Sequence, residues 1–160
     1  MMLGFHHFAV STANSERMIE FYTTHLGFQV VLRGGWKRGT PMIDGVVGLR
    51  DSAASSTLMR AGNCFLEVFE FDTPRGRPVD PNHPASDHGY SHICLLVKDI
   101  DTEYERLRQA GVQFNCPPTP VQESRMIRTT YARDPEGNFF ELMEVISEDS
   151  PYAMVNATIS

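Results

Sequence analysis

No apolar run in the chain approaches the roughly 20 residues needed to cross a bilayer, so a membrane-spanning helix is not expected. The N-terminus also lacks the apolar stretch of a secretory leader. Cysteine is scarce: Cys64, Cys94 and Cys116 are odd in number and far apart, which excludes a disulfide framework and suits a reducing compartment. Basic residues are outnumbered, 14 Lys and Arg against 20 Asp and Glu. The net charge of −6 argues against a nucleic-acid backbone as the main partner. The expected address is the cytoplasm, and Asn156-Ala157-Thr158, though a glycosylation sequon, carries no meaning there. What remains, 160 residues at 41% hydrophobic and 21% charged, is a globular chain long enough for a sizeable core.

The most informative stretch is Asp134-Pro135-Glu136-Gly137-Asn138-Phe139-Phe140-Glu141-Leu142. Pro135 presets φ for a turn and Gly137 supplies a positive φ. An apolar strand follows with a carboxylate in its middle. Strand side chains alternate, so Glu141 shares a face with Phe139 and Met143. A carboxylate among such neighbours needs a partner, because an unpaired buried charge is costly.

In chain order, Phe5 to Val10 reads as a buried strand. Asn14 caps a helix ending near Leu26, with Gly27 beyond it and Met18, Ile19, Tyr22 and Leu26 as its apolar face. Phe28 to Leu32 is a second strand. Arg33 to Ser55 reads as a long excursion with a short helical turn near Ile43 to Leu49. Thr57 to Met59 is a short third strand and Cys64 to Phe71 a strong fourth. Prolines mark the connector over 72–88. Ser91 to Val97 is a strand, Asp101 caps a helix closing at Gly111 with Ile100 before the cap, and Val112 to Phe114 and Met126 to Ala132 are strands. The polar tail, 147–160, is expected to be loosely held.

This order contains a repeat. His7 and Gly27 recur as His92 and Gly111, at offsets of 85 and 84 residues, and Glu67 recurs as Glu141 at 74. Each half reads strand–helix–strand–strand–strand, with a His in its first strand and a Glu in its last. Singly, a strand His is usually satisfied in a core and a strand Glu usually faces water. Two modules related by approximate two-fold symmetry would instead bring His7, Glu67, His92 and Glu141 to one centre, held together by a cation.

His7-Phe8-Ala9-Val10, the segment from Glu20 to Phe28, Gly89-Tyr90-Ser91-His92, and the Asp134 to Leu142 motif together resemble the vicinal oxygen chelate superfamily. That superfamily includes glyoxalase I, methylmalonyl-CoA epimerase, extradiol dioxygenases and fosfomycin and bleomycin resistance proteins. The resemblance covers about residues 5 to 146. It looks strongest toward the valiolone epimerase-like branch. It implies an α+β fold of two tandem βαβββ modules whose curved sheets form a cup around a divalent metal. The single domain would span 1–146, with module one at 4–71, the connector at 72–88 and module two at 89–146.

The resemblance also implies the ligands: His7, Glu67, His92 and Glu141. His6 should face the other side of its strand in a structural role. Mixed N and O donors suit Mn, Fe, Co, Ni or Zn. The implied reaction is metal-assisted proton transfer next to a carbonyl, by an epimerase, isomerase or lyase, on a small molecule with adjacent oxygens. Ser55 to Met59 carries no carboxylate where methylmalonyl-CoA epimerase has its base, so the base would be Glu67 or Glu141, as in glyoxalase I. A dioxygenase using His7, His92 and Glu141, with Tyr131 beside them, is the alternative; a non-catalytic binder is the third. Many single-domain relatives are homodimers, and a homodimer is expected here. Arg125 and Arg128 read either as an anion clamp or as solvated charge, and Trp36 either as part of a lid or as a loose loop.

Overall fold

A computed structural model describes residues 4–154. The chain divides into two compact units, Met1–Val79 and Asp80–Ser160. Among the described residues they contain two sheets and three helices, a mixed α+β arrangement.

In the first unit β1 (His7–Ser11) leads into α1 (Ser15–Leu26), then β2 (Gln29–Trp36), α2 (Pro41–Val47), β3 (Ala53–Ala61) and β4 (Cys64–Thr73). The sheet order is β1-β4-β3-β2, with β1 parallel to β4 and the other pairs antiparallel. α1 starts where Asn14 accepts a hydrogen bond from the Arg17 N–H and ends at Gly27, which is left-handed. It packs on β4, and Met18, Ile19 and Tyr22 are buried with Met59, Leu66 and Val68. Each such side chain contributes roughly 1.5–3 kcal/mol by leaving water.

Two elements exceed their sequence signal. β3 covers nine residues rather than Thr57 to Met59. Its Ala and Ser residues carry little strand propensity, but ladders on both sides hold them. β2 runs through Gly34-Gly35 to Trp36, where an excursion was expected. Gly35 has φ 143°, and a Cβ there would strike the Ala54 carbonyl and lie 2.9 Å from Ser55 Cα. Glycine here permits close strand pairing rather than breaking it. Trp36 consequently forms neither lid nor loose loop. Its indole N–H donates to Ser52 Oγ at 2.8 Å, and Asp44 of α2 in turn accepts from Ser52 and Asp51.

In the second unit β5 (His92–Leu96), α3 (Ile100–Gln109), β6 (Ile127–Arg133) and β7 (Phe139–Val145) follow one another. The sheet order is β5-β7-β6, with β5 parallel and β6 antiparallel to β7. Val112 to Phe114 does not form the expected strand. It meets β6 through an isolated bridge, Phe114 to Ala132, and irregular bonds such as Asn115 N–H to Tyr131 O. The prolines at 117, 118 and 120 cannot donate to a continuing ladder.

The α3 cap is Asp99, not Asp101. Asp99 accepts from the Thr102 N–H and hydroxyl, which leaves Asp101 to pair with Arg128 and makes Ile100 the first, fully buried, helical residue. The Asp134 turn forms as its residue types require: Asp134 accepts from the Glu136 and Asn138 N–H groups and the Asn138 amide. Connector residues 80–84 lie against it. Arg133 donates to the carbonyls of Gly137 and His83, and its guanidinium sits 3.7 Å from the Phe139 ring centre. The start of the tail is held rather than loose, since buried Ser150 donates to the Arg125 carbonyl. The sequon at 156–158 lies outside the described residues.

Candidate metal centre

Register fixes which side chains share a face, because residues directly opposite one another project to the same side. In the first sheet His7 lies opposite Phe65, and Ala9 and Leu58 flank Glu67. His7 and Glu67 therefore point the same way from neighbouring strands, with His7 Nε2 3.8 Å from Glu67 Oε2. In the second sheet His92 lies opposite Phe139, and Cys94 and Tyr131 flank Glu141. There His92 Nε2 is 3.2 Å from Glu141 Oε2. The repeat read in the sequence thus has a local geometric counterpart: each unit holds one imidazole against one carboxylate, at matching places in its sheet.

The two pairs differ in surroundings. Glu141 is almost buried, its side chain 9% exposed, whereas Glu67 retains 24%. Cys94 donates its thiol to Glu141; burial first, then that carboxylate, pushes the thiol pKa up to about 12. Tyr131 lies across the His92 ring, centroids 4.7 Å apart, with its hydroxyl 3.2 Å from Nε2. Burial, followed by the Glu141 charge, raises the phenol above its usual value. The corresponding place beside Glu67 is filled by Leu58.

Each imidazole is also held at its other nitrogen. His6 Nδ1 lies 2.9 Å from His7 Nδ1, and Ser91 Oγ lies 2.8 Å from His92 Nδ1. The expectation that His6 turns to the opposite side does not hold. It precedes the first paired residue of β1, so strand alternation does not govern it, and it stacks on Phe65 with ring centroids 4.7 Å apart.

Fit to a cation can be judged within each pair. Two donors on adjacent octahedral positions, each bonded at about 2.1 Å, stand about 3 Å apart. The observed 3.2 and 3.8 Å lie close to that spacing. No group of three or more His, Cys, Asp or Glu donors that could hold a metal ion is found among the described residues.

Several side chains take places that the sequence left open or did not show. Trp36, Phe69 and Phe71 form an aromatic cluster on the Glu67 face, with ring centroids 5.6 to 6.0 Å apart. Phe69 and Phe71 alternate with Glu70, which was a legible signal; Trp36 was hidden by the two glycines before it. Three residues beyond Glu67 and beyond Glu141 stands a second Glu on the opposite face. Glu70 accepts from the Ser15 N–H and hydroxyl at the start of α1, and Glu144 accepts from the Asp99 N–H at the start of α3. Arg128 is no substrate clamp. It faces the helix side and binds Asp101 through both terminal nitrogens and the Thr119 carbonyl through Nε. Arg125 lies beside the Tyr152 ring at 5.9 Å.

Residues 4–142 match the model of the Glyoxalase/Bleomycin resistance protein/Dioxygenase superfamily. The chain belongs to that superfamily. Within it, the chain is 24% identical to lactoylglutathione lyase of Pseudomonas putida, covering 88% of this chain and 84% of that protein. It is 27% identical to 2-epi-5-epi-valiolone epimerase of an Actinomyces species, covering 88% and 78% respectively. Among solved structures, a glyoxalase family protein from Bacillus cereus shares the fold with a TM-score of 0.78 at 22% identity, over 92% of this chain and 97% of that one. No helix among the described residues is long and apolar enough to cross a membrane.

Proposed function

We propose that this superfamily member is a divalent-metal-dependent enzyme that transfers a proton next to a carbonyl, as an epimerase, isomerase or lyase. His7, Glu67, His92 and Glu141 are the ligands in this reading. The supporting observation is the recurrence of one imidazole–carboxylate pair, on the same strands and the same face, in both units. A set of two neutral imidazoles and two carboxylates balances a divalent charge, and its mixed donors suit Mn, Fe, Co, Ni or Zn. The two pairs would join within one chain or across a homodimer. The two named relatives, a lyase and an epimerase, fall in the proposed class.

A bound divalent ion supplies Lewis acidity toward a carbonyl and its neighbouring oxygen. Side chains of the protein do the rest. Glu67 is the better placed base: it is the more exposed carboxylate and stands farther from its histidine. It would take the proton from the carbon beside the carbonyl and return it to a neighbouring atom on the same face; inversion at that carbon would need a second donor on the opposite face. Glu141, almost buried and bonded by the Cys94 thiol, stays in place. Tyr131 offers a protonated hydroxyl to a substrate oxygen. Leu58 and the Trp36, Phe69 and Phe71 cluster give the Glu67 side an apolar lining. The substrate is a small molecule with adjacent oxygens, handled in the cytoplasm.

Metal analysis of the purified protein, with loss of α-deuterium from a panel of 2-oxo compounds and acyl thioesters, tests this. Exchange without O₂ uptake is expected, and Glu67→Gln should lower it at least ~100-fold. A second reading, an Fe(II) dioxygenase, is favoured by the Tyr131 hydroxyl standing 3.2 Å from His92 Nε2. Consumption of O₂ with catechols and no deuterium loss would select it. A protein that binds ligands equally well with and without metal would be a non-catalytic binder.

A further inference from the structure

We infer that His6 and Ser91 are positioning residues, each holding the histidine after it with its proton on Nδ1 and its Nε2 lone pair free to bind metal. The inference rests on the metal-centre reading above and extends it to two residues outside the ligand set. Four observations carry it. The Nδ1 of His7 meets His6 Nδ1 at 2.9 Å, and the Nδ1 of His92 meets Ser91 Oγ at 2.8 Å. In both units the contact comes from the residue just before the ligand, although the residue type differs. In both, Nε2 is the nitrogen that faces the carboxylate, Glu67 or Glu141. Finally, His6 is itself fixed, its ring within 2° of parallel to Phe65.

The chemistry gives these contacts a purpose. A neutral imidazole carries one proton, and the nitrogen that keeps it cannot bind a cation. The carboxylate facing Nε2 would by itself draw the proton to that nitrogen, the wrong one for metal binding. An acceptor at Nδ1 competes for it. Ser91 Oγ has lone pairs to accept with, and His6 Nδ1 accepts when its own proton sits on Nε2. The two units thus reach one tautomer by different means: a hydroxyl free to rotate in one, a stacked imidazole in the other.

The test uses the full chain and Zn²⁺, which is diamagnetic and N/O-tolerant. Zn²⁺ affinity is measured by chelator competition, and histidine protons are followed in long-range ¹H–¹⁵N spectra of the loaded protein. In the wild type, His7 and His92 should each show a protonated Nδ1 and a metal-bound Nε2. His6→Ala and Ser91→Ala should each weaken Zn²⁺ binding ~10–100-fold, the range found when outer partners of ligand histidines are removed. Each should also broaden or lose the Nδ1 proton signal of its own neighbour only. Ser91→Thr and His6→Asn restore an acceptor and should recover most of the affinity, which a merely structural loss would not allow. Alanine variants that bind Zn²⁺ within twofold of the wild type, with unchanged spectra, overturn the inference while leaving the metal centre intact. A wild-type protein that takes up no Zn²⁺, Mn²⁺ or Ni²⁺ overturns the metal centre and this inference with it.

Discussion

Gly137→Ala isolates one contact on which the second unit depends. A Cβ at position 137 would lie 2.5 Å from Pro81 Cα, 2.8 Å from its carbonyl oxygen and 3.0 Å from its carbonyl carbon. Carbon atoms ordinarily approach to about 3.5–4.0 Å, so a displacement of roughly 1 Å is required. The obstacle is backbone, and Arg133 pins the neighbouring His83 carbonyl at 2.7 Å, so the connector cannot simply swing away. Overpacking of this kind costs about 1–3 kcal/mol. The residue also has φ +90°, where a side chain adds about 1–2 kcal/mol. The expected loss is therefore about 2–5 kcal/mol. Gly27→Ala provides the control: φ is +71°, but nothing lies within 4 Å of the new atom, so only the conformational cost of about 1–2 kcal/mol applies. Urea denaturation followed by circular dichroism measures both. Equal losses in the two variants would refute the claim that the connector packs tightly on the Asp134 turn.

Other expectations follow from single groups. Hydrogen bonds from the Ser15 hydroxyl and N–H hold the Glu70 carboxyl below its ordinary value, so its contribution is present above the unfolded pKa near 4.5 and is lost as pH falls through the lower folded value. Glu70→Gln should cost ~1 kcal/mol at neutral pH, discounted for its exposure, and the gap to wild type should close in denaturation curves run progressively below pH 4.5. A gap independent of pH would contradict the assignment. With its thiol pushed up to about 12, Cys94 should be alkylated by iodoacetamide more slowly than Cys116 at pH 8; peptide mapping that finds equal labelling would count against the Cys94–Glu141 contact. Leu66→Ala, at a fully buried position under α1, should lose about 2–5 kcal/mol in the same urea assay.

The sequence made the repeat legible, and with it the pairing of His7 with Glu67 and of His92 with Glu141, because strand alternation is a strict period. Once Glu141 is on a strand, its neighbours in the chain fix its face. Helix α1 was equally readable, since Asn14 and Gly27 are both boundary residues with a stated bond or dihedral. What could not be read depends on partners distant in sequence. Gly34-Gly35 looks like a loop until Ser55 and Ser56 lie alongside them. Asp99 and Asp101 are equivalent as caps until Arg128, 27 residues beyond the second, claims one of them. Val112 to Phe114 has strand composition, and only the prolines that follow keep it from a full ladder. The resemblance to the vicinal oxygen chelate proteins gave the family correctly, and the two α+β units follow its pattern apart from that missing strand.

The strands that present Glu67 and Glu141 each reach backwards as well as forwards. An odd spacing of three residues turns Glu70 and Glu144 away from the chemistry and onto the helix starts behind. Proposed ligand and anchor are therefore rungs of one ladder, and loosening either would shift the other. A screen scored on turnover would return all four acids as hits. Only supplying the missing helix-start acceptor by another route, and seeing activity return, would separate the two proposed to meet the substrate from the two that brace the frame.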